Sequence, residues 1–172
     1  MFLDRDGTLN VKAPEGAYVT CPEDVVLLPG AAAALRRLNL AGIPALLVTN
    51  QRCIGRGLLT DAGYAAVAAR LRDLLATAGA RLDGEYVCPH EGGCACRKPL
   101  PGMLHRAAAD RRGLRLHRCV LVGDAESDVA AAHAARAAAI RLGTPGTSTA
   151  AEAMVADLAS AVDLVLDPLR EL

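Results

Sequence analysis

Leu3-Asp4-Arg5-Asp6-Gly7-Thr8 opens the chain with two carboxylates one residue apart, at the end of a short apolar run and followed at once by Gly and Thr. In a strand, alternate side chains point to the same side, so Asp4 and Asp6 can face one pocket while Arg5 faces away. Gly7 then lets the backbone turn sharply where the strand stops. One carboxylate can attack phosphorus and share a hard cation while its neighbour moves a proton to the leaving oxygen. Taken alone, an acidic strand end running into a turn accounts for these residues equally well, so the rest of the chain must decide. Only Met1, Phe2 and Leu3 precede Asp4, shorter than a typical strand, which raises the expectation that upstream residues are missing.

Three further segments have the same form. An apolar run from Ile43 ends abruptly in Thr49-Asn50-Gln51, which reads as a buried parallel strand opening into a crevice, where Thr49 can donate to a phosphate oxygen. Arg97-Lys98-Pro99 places a lysine just before a proline that excludes helix there, so a cation held at Lys98 can neutralise a transferring phosphoryl group. Val120-Leu121-Val122-Gly123-Asp124 is another apolar strand ending in Gly-Asp, with Asp128 four residues on at a helical start. Asp124 can complete a magnesium shell with Asp4, since this ion takes oxygen ligands and keeps several waters. Each segment has a bland counterpart: a helix cap after a strand, a solvated surface lysine, an acidic turn.

Between these segments the chain alternates. Strands are expected at 1–4, 43–49, 85–88, 118–122 and 137–141, and helices at 30–41, 60–79, 101–112 and 126–136, stopped by Gly42, Gly79 and Gly113. Thr60 is an N-cap candidate and Pro101 suits a first turn. From Gly143 to Ala150 the sequence reads as a loop, followed by a short helix and a last strand over Val162 to Leu166. Such alternation predicts an α/β fold with a doubly wound parallel sheet, in which all four segments fall at C-terminal strand ends.

In order and position the four segments resemble the haloacid dehalogenase superfamily of phosphatases, whose pattern is Asp-x-Asp-Gly-Thr, then Thr or Ser, then Lys, then Gly-Asp-x-x-x-Asp. The resemblance covers about residues 1–145. It implies that Asp4 is a nucleophile forming an aspartyl-phosphate and that Asp6 is a general acid and then a base toward water. It implies that Thr49 and Lys98 hold phosphoryl oxygens, that Asp4, the Asp6 backbone carbonyl and Asp124 bind magnesium, and that Asp128 acts from behind these ligands.

The composition agrees with one folded unit. A chain of 172 residues, 52% hydrophobic, is expected to form a single domain over residues 1–172. With only 2% aromatic residues, the core must be built from Ala, Leu and Val. A formal net charge of zero and no long basic run argue against a nucleic-acid partner. No apolar stretch is long enough to cross a bilayer, and charge at Asp4 is unlike a signal peptide, so a soluble cytoplasmic protein acting as a monomer without a membrane partner is expected. Six unevenly spaced cysteines do not imply disulfides in that setting.

Four of the metal-binding side chains fall in one stretch. Cys88-Pro89-His90-Glu91-Gly92-Gly93-Cys94-Ala95-Cys96 puts three thiols and an imidazole within nine residues, suited to a tetrahedral zinc. Zinc held by Cys88, His90, Cys94 and Cys96 would be structural, fixing the loop that presents Lys98. The stretch resembles the zinc loop of two branches of the superfamily, the heptose bisphosphate and the histidinol phosphate phosphatases, with a shorter spacer between His90 and Cys94. The segments between Asp4, Thr49 and Lys98 leave no room for a cap domain, so loops must select the small-molecule sugar phosphate substrate. Asn50, Arg56 and Arg97 are candidate substrate-binding residues, the two arginines as clamps for a second anionic group. The run from Thr49 to Gly57, with Pro101-Gly102-Met103, is closer to the heptose bisphosphate branch, which implies hydrolysis of the 7-phosphate of D-glycero-D-manno-heptose 1,7-bisphosphate. Histidinol phosphate is the alternative within the enzyme class, and a zinc-stabilised binding module without turnover is the alternative outside it. The superfamily often has Gly where Cys53 stands and Lys where Ala125 stands.

Overall fold

The computed structural model describes residues 1–144 and 146–167. Six strands, β1 (Phe2–Leu3), β2 (Leu46–Asn50), β3 (Gly84–Cys88), β4 (Val120–Gly123), β5 (Ala138–Leu142) and β6 (Ala153–Val155), form one sheet in the order β3-β2-β1-β4-β5-β6. Every pairing is parallel. Among the described residues six α-helices connect or flank them: α1 (Ala31–Leu40), α2 (Arg52–Gly55), α3 (Asp61–Thr77), α4 (Gly102–Asp110), α5 (Glu126–Ala134) and α6 (Leu158–Leu166).

The two-residue period of the strands sorts the core into two layers. Leu3, Leu47, Val122 and Ile140 pack on one face with Leu35 and Leu38 of α1, Leu71 and Leu75 of α3, and Ala161 and Val162 of α6. Their neighbours Phe2, Leu46, Val48, Leu121 and Ala139 pack on the other with Met103 and Leu104 of α4 and Val129 and Ala132 of α5. Small alanines on α5 let that helix sit close to the sheet, which is how a core nearly free of aromatic residues stays filled. No helix among the described residues is long and apolar enough to cross a membrane.

The expected doubly wound sheet is present, with one exchange near its end. Ala153–Val155 is the last strand and Leu158–Leu166 is a helix, the reverse of the helix-then-strand order expected there. Buried Leu158, Ala161 and Val162 follow the i, i+3, i+4 spacing of a helix face, and the Asp157 carboxylate caps the Ser160 amide at 2.8 Å. Pro145, within the expected loop, and residues 168–172 lie outside the described residues. Thr60 caps α3 as expected, its hydroxyl accepting from the Gly63 amide at 3.0 Å.

Candidate active site

The strand order places β1 between β2 and β4, so the residues at their C-terminal ends converge. Asp4 follows β1, Thr49 and Asn50 end β2, and Asp124 follows β4. The Asp4 amide still bonds to the Val122 carbonyl at 2.9 Å, which fixes the nucleophile candidate to the sheet rather than to a free loop. Together with Asp6, Lys98 and Asp128 these residues line a cavity of about 400 Å³.

Lys98 organises its floor. The buried ammonium lies 2.7 Å from Asp4 Oδ1, 2.6 Å from Asp128 Oδ1 and 2.9 Å from the Val48 carbonyl oxygen. Burial works against the charge of Lys98, but Asp4 and Asp128 outweigh it and its pKa is raised. Burial pushes the Asp4 carboxyl up to about 6, Lys98 opposing the rise and Asp128 adding to it. The other Asp128 oxygen accepts from the Ala125 amide at 3.1 Å, so both oxygens of Asp128 are engaged inside the protein.

Oxygens of Asp4, Asp124 and Asp128 lie within 4.8 Å of one another, a set that suits a hard divalent cation. A positive group already stands there: the Lys12 ammonium, 2.8 Å from Asp124 Oδ2. Two motif glycines make the cluster possible. A Cβ on Gly7, whose φ is +84°, would stand 2.5 Å from Asp124 Oδ2, and one on Gly123 would collide with the Asp128 carboxylate.

Asp6 lines the same cavity, yet its carboxylate turns toward other partners. Arg5 donates to it through Nε at 3.1 Å and Nη2 at 2.9 Å, Asn10 through Nδ2 at 3.0 Å, and Gln51 through Nε2 at 2.9 Å. Arg5, expected to face away from the pocket, lines the same cavity. It is 2% exposed, doubles back onto Asp6 and lies over the Tyr64 ring. Gln51 also donates to Thr49 Oγ1 at 2.9 Å, linking Asp6 to Thr49.

The thiols and imidazole of the expected zinc loop are gathered beside this floor. Cys88 ends β3, and sulfur separations are 3.2 Å for Cys88–Cys96, 3.4 Å for Cys94–Cys96 and 3.6 Å for Cys88–Cys94. His90 Nδ1 stands 3.3 Å from Cys96 and 3.7 Å from Cys88. A tetrahedral zinc with bonds of about 2.3 Å needs sulfur–sulfur edges of about 3.8 Å, so the four ligands fit with a few tenths of an ångström of opening. Burial pushes the Cys88 thiol up to about 12, helped by Cys96. Cys94, which burial would raise, is drawn down to about 6 by hydrogen bonds involving Cys96, the Arg97 amide and Cys88. The shorter His90–Cys94 spacer therefore does not prevent closure.

The cavity wall departs from expectation. Asn50 spends its carboxamide on the backbone of Lys98, at 3.0 Å to both the carbonyl and the amide. Arg56 lies off the wall, paired with Glu91 at 2.5 Å and donating to the Tyr18 hydroxyl at 3.1 Å. Arg97 does line the cavity, with Nη1 at 3.3 Å from the His90 carbonyl oxygen. Arg52, Lys12 and Tyr18 line it too, and none was singled out from the sequence. Arg52 lies in the same loop as Arg56 and one helical turn away, so position alone does not say which of the two reaches the pocket.

A family model described as HAD-hydrolase-like matches residues 95–172. The D-glycero-beta-D-manno-heptose-1,7-bisphosphate 7-phosphatase of Bordetella bronchiseptica is 40% identical over 134 residues, covering 77% of this chain and 73% of that protein. The chain belongs to the haloacid dehalogenase superfamily of phosphatases. Within this superfamily, the enzyme of the same name from Yersinia pestis is 35% identical over 181 aligned positions, covering 100% of this chain and 92% of its own. The crystal structure of D,D-heptose 1.7-bisphosphate phosphatase from B. bronchiseptica, complexed with magnesium and phosphate, superposes with a TM-score of 0.84 at 34% identity over 96% of this chain and 97% of that one. The alternative of a binding module outside the enzyme class gives way to a phosphomonoester hydrolase.

Proposed function

We propose that this superfamily member removes the 7-phosphate of D-glycero-D-manno-heptose 1,7-bisphosphate through an aspartyl-phosphate on Asp4. The observation that carries the reading is the Asp4 carboxylate anchored through Oδ1 to buried Lys98, with Asp124 and Asp128 gathered beside it. The relatives named above supply the substrate.

The chemistry follows from these residues. Asp4 attacks phosphorus, the bond from phosphorus to the sugar oxygen breaks, and Asp6 gives its proton to the departing alkoxide. Asp6 then takes a proton from water, which attacks phosphorus and releases inorganic phosphate and Asp4. For both proton transfers the Asp6 carboxyl turns from Arg5, Asn10 and Gln51 toward the cavity it already lines. Thr49 and Lys98 hold the phosphoryl oxygens, and Asp128 holds Lys98. Magnesium bound by Asp4, the Asp6 carbonyl and Asp124 would offset the charge of the transferring group. Zinc on Cys88, His90, Cys94 and Cys96 would be structural, holding the segment that delivers Lys98. We place the site of action in the cytoplasm; a sugar bisphosphate does not pass a bilayer unaided, so enzyme and substrate must share a compartment.

Phosphate release with magnesium present, measured side by side for both anomers of the heptose bisphosphate, histidinol phosphate and simple sugar phosphates, tests the substrate. A kcat/KM for histidinol phosphate equal to or above that for the heptose bisphosphates would overturn it.

A further inference from the structure

Lys98 on the cavity floor answers the charge of one transferring phosphoryl group, yet the wall above carries more positive charge. Arg5, Lys12, Arg52 and Arg97 line the same cavity as Asp4, Asp6, Glu15, Asp124 and Asp128, and Arg5 is committed to Asp6. Lys12 is committed to Asp124. Arg56, the expected clamp, is committed to Glu91. Arg52 differs from both, because its side-chain hydrogen-bond partner among the described residues is a neutral phenol.

Tyr18 holds Arg52 in two ways. The guanidinium carbon lies 5.7 Å from the centre of the Tyr18 ring, and Arg52 Nε donates to the Tyr18 hydroxyl at 2.7 Å. The same hydroxyl accepts from Arg56 at 3.1 Å, so Arg56, itself tied to Glu91, braces the phenol. Ring contact and the Nε bond fix the guanidinium plane, leaving the two terminal nitrogens of Arg52 without a partner among the described residues. A planar pair of donors at fixed spacing, on the wall of an otherwise built phosphate site, is the geometry that accepts two oxygens of an anion at once. Holding that plane before binding reduces the ordering cost that a free arginine would incur.

We infer that Arg52, positioned by Tyr18, is the specificity-determining residue that receives the second, non-reacting phosphate of a sugar bisphosphate. The assignment rests on the substrate reading above and deepens it. Arg97, on the same wall, adds charge there, whereas Arg56 acts only through Tyr18.

The test compares kcat/KM for heptose 1,7-bisphosphate with kcat/KM for heptose 7-phosphate, which differs only in lacking the second phosphate. The wild-type ratio should favour the bisphosphate. In Arg52→Ala that ratio should shrink by about 10- to 100-fold, the scale of a lost charge-assisted contact, mainly through KM for the bisphosphate. Arg52→Lys, which keeps the charge and loses the fork, should recover part of the ratio, and Tyr18→Phe should weaken it less than Arg52→Ala does. An unchanged ratio in both Arg52 variants, with wild-type preference intact, would overturn the Arg52 assignment alone. A wild-type protein that treats the two sugars alike would overturn both the assignment and the substrate reading.

Discussion

Asn50 grips both sides of the Lys98 peptide, its Nδ2 donating to the Lys98 carbonyl oxygen and its Oδ1 accepting from the Lys98 amide, each at 3.0 Å. An amide side chain at the end of β2 thus fixes a lysine 48 positions later in the chain. Asn50→Ala should let the ammonium drift from Asp4 and lower kcat by roughly 100-fold with little change in KM, because small misplacements at a reacting centre cost rates of that order. Steady-state kinetics on the bisphosphate would show it; a loss confined to KM would mean that Asn50 serves substrate binding instead.

Asp4 is a costly residue to keep in its ionised form. Its folded pKa, about 6, lies above the ordinary aspartate value of 3.8, so the native state holds the proton more tightly than the unfolded chain. The sign is destabilising: the cost is absent below about pH 4, grows between about pH 4 and 6, and is complete above that, at roughly 2–3 kcal/mol. Asp4→Asn should therefore abolish turnover yet raise the melting temperature at pH 7.5 in a magnesium chelator by several degrees. Thermal scans at pH 5 and 7.5 check the sign, since the gain should narrow at the lower pH.

Removing the cation between Asp4 and Asp128 has the opposite effect. Lys98→Met leaves two buried carboxylates facing each other, a change of about 3–5 kcal/mol, enough to lower Tm by roughly 10 °C. Activity should vanish with it, and Lys98→Met combined with Asp4→Asn should regain part of the lost stability. Additive effects in the double variant would deny that the two groups are coupled.

Zinc should be measurable and separate from magnesium. Metal analysis of the purified protein is expected to give one zinc per chain, and Cys96→Ser, which removes the sulfur nearest to both Cys88 and Cys94, should release it. Activity lost on zinc removal should return with zinc and not with magnesium. Full activity and unchanged Tm in zinc-free protein would show that the loop closes without metal.

Lys12 stands where a divalent ion must gain access to Asp124. Lys12→Ala should lower the magnesium concentration needed for half-maximal activity by a few fold, since a competing positive charge has been taken away. A higher requirement would indicate that Lys12 helps to shape the ion site.

Three of the four candidate segments, at Asp4, Thr49 and Asp124, are legible in the sequence because each couples an apolar strand to an abrupt polar end, two local signals that parallel sheets bring together at one edge, whereas Lys98 lies in the loop between β3 and α4 and is marked only by the proline after it. The candidate zinc ligands are legible for a different reason, all lying within nine residues. What was missed depends on pairing between distant segments. Arg52 and Arg56 differ little by position, and only Glu91, 35 residues on, draws Arg56 off the wall. Lys12 is an ordinary surface lysine until Asp124, 112 residues away, meets it. Val162-Asp163-Leu164-Val165-Leu166 resembles a strand because the helix that contains it is apolar on more than one side, and three-residue β6 is too short to advertise itself.

Gly55 of α2 lies so close to the Pro89 carbonyl oxygen that an added Cβ would stand 2.7 Å from it, and the Gly55 amide bonds to that oxygen at 2.9 Å. The segments on either side of this contact thus share a seam, and a change on one side is constrained by the other. Libraries seeking a new sugar preference should randomise positions 51–57 jointly with Glu91, because the neighbouring loop will reject most changes made on one side only.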